Sequence, residues 1–189
     1  MAVNFATQTV TSFAQHLVSS MTFAYISPVT TNTALYVTIG CGQTNALVTS
    51  VSYAGVQLTK VAERFSTSHA STQAATIWRR LAPSTGTNNI IVIGDGGAYD
   101  FEVGAFVLDN VNQTTPERST TAAFNDNASS PALITYPASS TNANDIIIAV
   151  ACAGSALSAA NKTQRWIQNF DGGSAGGNAA GQTAPGSSA

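Results

Sequence analysis

Ten short runs of β-forming residues recur along the chain at nearly even spacing, and no helical pattern of roughly 10–15 residues separates any two of them. They read TFAYIS (22–27), ALYVTIGC (34–41), ALVTSVSYAG (46–55), VQLTKVAERF (56–65) and QAATIWRRL (73–81). NNIIVIGD (88–95), FEVGAFVLDNV (101–111), ALITYP (132–137), DIIIAVACA (145–153) and TQRWIQNF (163–170) complete the series. Strands that follow one another without crossover helices cannot build a parallel βαβ sheet, so the pattern predicts an antiparallel sandwich or barrel.

Composition points the same way. Only 8% of the 189 residues are charged, with two lysines (Lys60, Lys162) and three glutamates (Glu63, Glu102, Glu117), whereas solvated helix faces draw heavily on Lys and Glu. Ser, Thr, Asn and Gln fill the polar positions instead, as suits turns and solvated strand faces. The fold class expected is all-β, with a core fed by Leu35, Val37, Ile77, Ile91, Val107, Ile147 and Val150. The continuous apolar runs NIIVI and DIIIAVA read as central strands covered on both faces. In 56–65 the apolar parity switches near Thr59-Lys60, which predicts a bulge or bend. Ala54-Gly55 in YAGVQ predicts a tight turn, with Gly55 free to take positive φ. The first twenty residues read as an arm or an edge strand.

A net charge of −2 and a pI of about 5.5 leave no basic stripe to displace counterions from a duplex, so no nucleic-acid partner is expected. In Arg79-Arg80, the one adjacent basic pair, strand alternation turns one guanidinium inward or across an edge. No run approaches the roughly 18 apolar residues of a membrane span, and MAVNFATQTVTSF has neither a basic nor an apolar signal region. No membrane association is expected. Cys41 and Cys152 each end an apolar run and are expected as reduced thiols without ligand-spaced partners.

Candidate chemistry is sparse. Gly172–Gly176 around Ser174 matches a nucleophile elbow, but the following GNAAGQTAPG cannot supply the required helix. His16 and His69, in Ser/Thr-rich surroundings, are expected as solvated loop residues. GDGGAYDFE (94–102) places Asp95, Asp100 and Glu102 in a Gly-rich loop; these are weak calcium candidates, without EF-hand spacing, and an acidic hairpin loop is the expected reading. Trp78 lies mid-strand and is expected in the core. Trp166, near an expected edge, fits a sugar-stacking platform equally well. Sequons at Asn112, Asn127 and Asn161 mark polar loops. No catalytic set, metal or cofactor is expected, and the chain is not expected to be an enzyme.

The order NTALYVTIGCG, VTSVSYAGVQLTKV, ATIWRRLAPSTGTNNIIVI, VGAFVLDNVNQTTP, NDIIIAVACAG, TQRW resembles a jelly-roll-like β-sandwich domain of phage virion proteins and bacterial surface proteins. The resemblance covers roughly residues 22–170. It implies a structural protein of a tailed bacteriophage, located in the virion. A capsid decoration (cement) protein is the leading form, its partners the major capsid protein and copies of itself in a homo-oligomer. The alternatives are a tail or fibre component, or a carbohydrate-binding or adhesin module of a bacterial surface protein. Family members continue past the Gly-rich stretch into a further Trp-containing strand, which this chain does not show. The expected organisation is therefore an N-terminal arm or edge strand (1–21), a sandwich (22–170) and a Gly/Ala/Ser-rich tail (171–189). Arm and tail are expected to be ordered only against neighbouring subunits, with Val3, Phe5, Trp166, Asp171, Gly176 and Pro185 as partner-binding candidates.

Overall fold

The computed structural model describes residues 2–6, 11–42, 47–65, 74–118, 120, 144–153, 163–169 and 178–185, and these contain strands and no helix. Among the described residues thirteen strands form three antiparallel sheets. They are β1 (Asn4–Phe5), β2 (Thr11–Val18), β3 (Ser20–Ser27), β4 (Ala34–Gly42), β5 (Val48–Tyr53), β6 (Val56–Gln57) and β7 (Thr59–Phe65). After them come β8 (Ala74–Leu81), β9 (Gly86–Gly94), β10 (Tyr99–Asp109), β11 (Ile146–Ala153), β12 (Thr163–Asn169) and β13 (Asn178–Pro185).

The pairing identifies the architecture. One sheet runs β10-β4-β8-β7, with β1 and β2 sharing the free edge of β10, and a second runs β3-β9-β5-β6. Along the chain, β2 pairs with β10, β3 with β9, β4 with β8 and β5 with β6. An antiparallel ribbon is thus rolled into two facing sheets, which is the jelly-roll arrangement, with β7 as an added strand on β8. Leu35, Val37, Ile39, Phe101, Val103 and Val107 face Phe23, Tyr25, Val51, Tyr53, Ile90 and Val92 across the main core.

The six-stranded sheet is also covered on its other side. Tyr36, Phe106, Ala34 and Leu108 form a second apolar cluster, against which Ile146 and Ile148 of β11 pack. The third sheet, β11-β13-β12, lies on that face. β4 and β10, covered on both sides, are therefore buried at every position except Asp109.

Local expectations meet the structure unevenly. The turn is present, Ala54 and Gly55 having φ of 50° and 75°, and both positive angles suit a two-residue hairpin. The switch in 56–65 is where the chain leaves the four-stranded sheet for the six-stranded one. Buried Leu58 donates its N–H to the Val51 carbonyl at 2.8 Å, and a register shift follows between Lys60 and Ala62. Trp78 is in the core. Arg79 is the inward arginine, its guanidinium against Glu117, which also accepts from the Tyr36 hydroxyl. Asn112 folds its own turn, its side-chain oxygen accepting from Thr114 N–H and Thr115 N–H at 2.8 and 2.9 Å.

Four expectations are corrected. Of the expected core, Leu35, Val37 and Val107 are fully buried, whereas Ile77, Ile91, Ile147 and Val150 are only partly so. NIIVI is covered on one face: Ile90 and Val92 are inward and Ile93 is 43% exposed. DIIIAVA forms the edge strand β11, not a central one, because its inner neighbour is β13. The described part of the first twenty residues, expected as an arm or an edge strand, forms edge strands, and the described part of the tail is not an arm waiting for another subunit. β1 and β2 pair with β10, Val3 N–H donates to Asn144 O at 3.1 Å, and Phe5 packs on Phe106 with ring centroids 5.4 Å apart. Within the tail, Asn178–Pro185 is the middle strand of the third sheet, paired with β11 on one side and β12 on the other. Two ladders of main-chain hydrogen bonds hold a strand of small residues that has few apolar side chains to contribute.

Candidate interaction surface

The acidic residues do not form a site together. Asp100 and Glu102 lie in β10 rather than in a loop, both fully buried, and only Asp95 stays in the turn, where its carboxylate accepts from the Tyr99 hydroxyl. Asp100 sits at the register shift between Tyr99 and Phe101. There its carboxylate meets His16 Nδ1 and accepts the Leu17 N–H at 3.1 Å, at a residue with φ of 52°. His16 is thus a strand residue that helps fasten β2 to β10, not a loop histidine. Among the described residues no group of three or more His, Cys, Asp or Glu is placed to hold a metal ion.

Glu102 shares its side of β10 with Phe106 and Leu108, beneath the third sheet. Neither carboxyl oxygen has a hydrogen-bond partner, and burial, then the neighbouring Asp100 carboxylate, push its pKa up to about 9. It is a buried neutral acid at neutral pH. Neither Cys41 nor Cys152 is in a disulfide, and the Cys152 sulfur lies 3.7 Å from the Cys41 carbonyl oxygen. Burial pushes the Cys41 thiol up, so it is not an activated nucleophile.

What the fold does present is a surface. The outer face of the four-stranded sheet is built from Ser20, Thr22, Ala24 and Ile26 of β3, Asn89, Ile91 and Ile93 of β9, and Ser50 and Ser52 of β5. No Asp, Glu, Lys or Arg occurs in any of its four strands, nor anywhere before Lys60. Exposed large apolar residues cluster on or beside this sheet: Ile26 (68%), Ile93 (43%) and Val56 (40%), with Leu17 and Val29 flanking β3. All five are aliphatic, so among the described side chains no exposed aromatic platform awaits a sugar ring.

Of the partner-binding candidates, Val3 and Phe5 are engaged within the chain. Trp166 is in the edge strand β12, and Pro185 ends β13 opposite Ile146. Asp171 and Gly176 lie outside the described residues, as do His69, Ser174, Asn127 and Asn161. Sequence reasoning missed the uncharged sheet, although the signal was there: a charge-free stretch reaching Lys60 is visible without any structure. No family model, curated protein or solved structure matches the chain.

Proposed function

We propose that this chain is a structural protein of a tailed-bacteriophage virion, a capsid decoration protein seated on the major capsid protein. The observation that carries the reading is the uncharged outer face of the β3-β9-β5-β6 sheet. Surfaces that become the centre of a lasting protein interface are depleted in charge, because an unpaired ion would lose its water there. A flat face of Ser, Thr, Asn, Ala and Ile suits burial against a large rigid partner. Its aliphatic character favours this reading over a carbohydrate-binding one, which needs aromatic faces to stack on sugars. The motif order resembling virion jelly rolls supports the same class.

The test is co-sedimentation of the purified protein with capsid shells of the phage that encodes it, shells lacking it being the binding partner. Binding should saturate and persist at high salt, since no charges face the shell. Ile93→Lys, at an already exposed position, should fold normally and lose binding. Failure to bind shells, or binding to tails alone, refutes the capsid assignment.

A further inference from the structure

The edge of the four-stranded sheet carries a second, independent piece of information, one that holds whatever the sheet's face docks onto. Among the described residues β3 is an edge strand, paired with β9 only. The phase of that ladder is fixed by two bonds at its margins: Gly94 N–H donates to Ser19 O at 2.9 Å, and Ala54 N–H donates to Asn89 O at 3.2 Å. In an antiparallel pair, hydrogen-bonded and non-bonded positions alternate. Met21, Phe23, Tyr25 and Ser27 therefore exchange their main-chain bonds with β9, while Ser20, Thr22, Ala24 and Ile26 direct N–H and C=O away from it.

Such an edge is normally protected by lysine, proline, a bulge or brevity. β3 has none of these. It is eight residues long, pairs with β9 without a register shift, and has no charge or proline within it. Its burial alternates strictly, with Met21, Phe23, Tyr25 and Ser27 inward.

We propose that β3 pairs antiparallel with β3 of a second copy of this chain, about a two-fold axis at Phe23. Directly opposed residues in an antiparallel pair lie on the same face, so the register must keep inward residues opposite inward ones. Centring on Phe23 does so, setting Ser20 opposite Ile26 and Thr22 opposite Ala24 of the other copy. All four outward-directed residues of each strand are then used, in about eight main-chain hydrogen bonds. A two-residue shift in either direction leaves one of them opposite Val18 or Pro28 and loses bonds. The same register brings Leu17 of one copy to the end where Val29 of the other lies, the two being 54% and 84% exposed. The result is one continuous eight-stranded sheet whose whole outer face is uncharged, an isologous dimer.

Sedimentation equilibrium on the full chain tests this, the expected mass being twice 19.3 kDa. Ala24→Pro removes an N–H that no described strand of the same copy uses, and proline is tolerated at such edge positions. Thr22→Lys restores the missing edge charge. Each should raise the dimer dissociation constant by roughly 10–100-fold while leaving circular dichroism unchanged. Amide exchange gives a readout that does not rely on the variants. Ser20, Thr22, Ala24 and Ile26 amides should be protected in concentrated wild-type protein and exposed on dilution. A wild-type protein that sediments at 19.3 kDa, a dimer untouched by Thr22→Lys, or fast exchange at those four amides at every concentration overturns the proposal.

Discussion

Replacing Glu102 by Gln should flatten the pH dependence of stability on the alkaline side of neutrality. In the folded protein this carboxyl is buried beneath the third sheet without a hydrogen-bond partner, its pKa pushed up to about 9 by burial and, secondarily, by Asp100. In the unfolded chain it returns to the ordinary value of about 4.5. Below pH 4.5 both states hold the proton and the group's contribution is fully present. Above that, the unfolded chain releases its proton first, so stability falls as pH rises until the folded protein also ionises near pH 9. One proton of difference is worth about 1.36 kcal/mol per pH unit, so from pH 6 to pH 8 Glu102 should cost the wild type about 2.5 kcal/mol. Gln occupies nearly the same volume and does not titrate. Urea unfolding at pH 6, 7 and 8 on both proteins isolates the group, since every other titration is common to the two. Equal slopes for wild type and Glu102→Gln refute the reasoning, and would mean that the carboxyl reaches solvent or a counter-ion.

Two further outcomes follow from backbone geometry. At Gly94 an added Cβ would lie 2.6 Å from the Tyr99 ring, which is held by its hydroxyl bonds to Asp95 and Gly97, whereas at Gly55 nothing lies within 4 Å. Gly94→Ala should therefore cost about 1–3 kcal/mol by overpacking, and Gly55→Ala only about 1 kcal/mol through its positive φ, both read by thermal or urea unfolding. Truncation before Asn178 removes the one described strand that pairs with β12. Trypsin cleavage after Arg165 should then accelerate by at least about tenfold relative to the full chain, the lost ladder having been the protection, and an unchanged rate would remove β13 from the account.

The sandwich was legible because its signals are local. Alternation in 20–27, the Ala54-Gly55 turn and the parity switch that carries 56–65 from one sheet to the other are each encoded within a few residues. Coverage by a third layer is not local, so ALYVTIGC, buried on both sides, and NIIVI, buried on one, look alike as apolar runs. The acidic residues were misplaced because Gly96 and Gly97 suggest a longer loop than the turn that forms, and nothing in DFE announces that burial will neutralise its glutamate. NAAGQTAP was unreadable as a strand for a related reason. It owes its conformation to hydrogen bonds from both neighbours, not to β-branched side chains of its own. The uncharged face was legible in β3, β5 and β6, which lie in the stretch without Asp, Glu, Lys or Arg before Lys60, and in β9, whose GTNNIIVIG holds no acid or base.

The order of strands in the third sheet sets a sequence of events during synthesis. β11 and β12 emerge from the ribosome before β13, yet neither pairs with the other, so both must wait for the strand that is inserted between them. The jelly roll, whose ten strands are complete by Asp109, can close earlier, leaving Tyr36, Phe106 and Glu102 facing water. For that interval, among the described elements, an apolar face and two strands lack their partner β13, the kind of surface that invites mispairing between neighbouring polysomal chains. The slow step in building this sheet is then expected to be the docking of its small-residue middle strand, and a chaperone that serves this protein would be needed until β13 has paired.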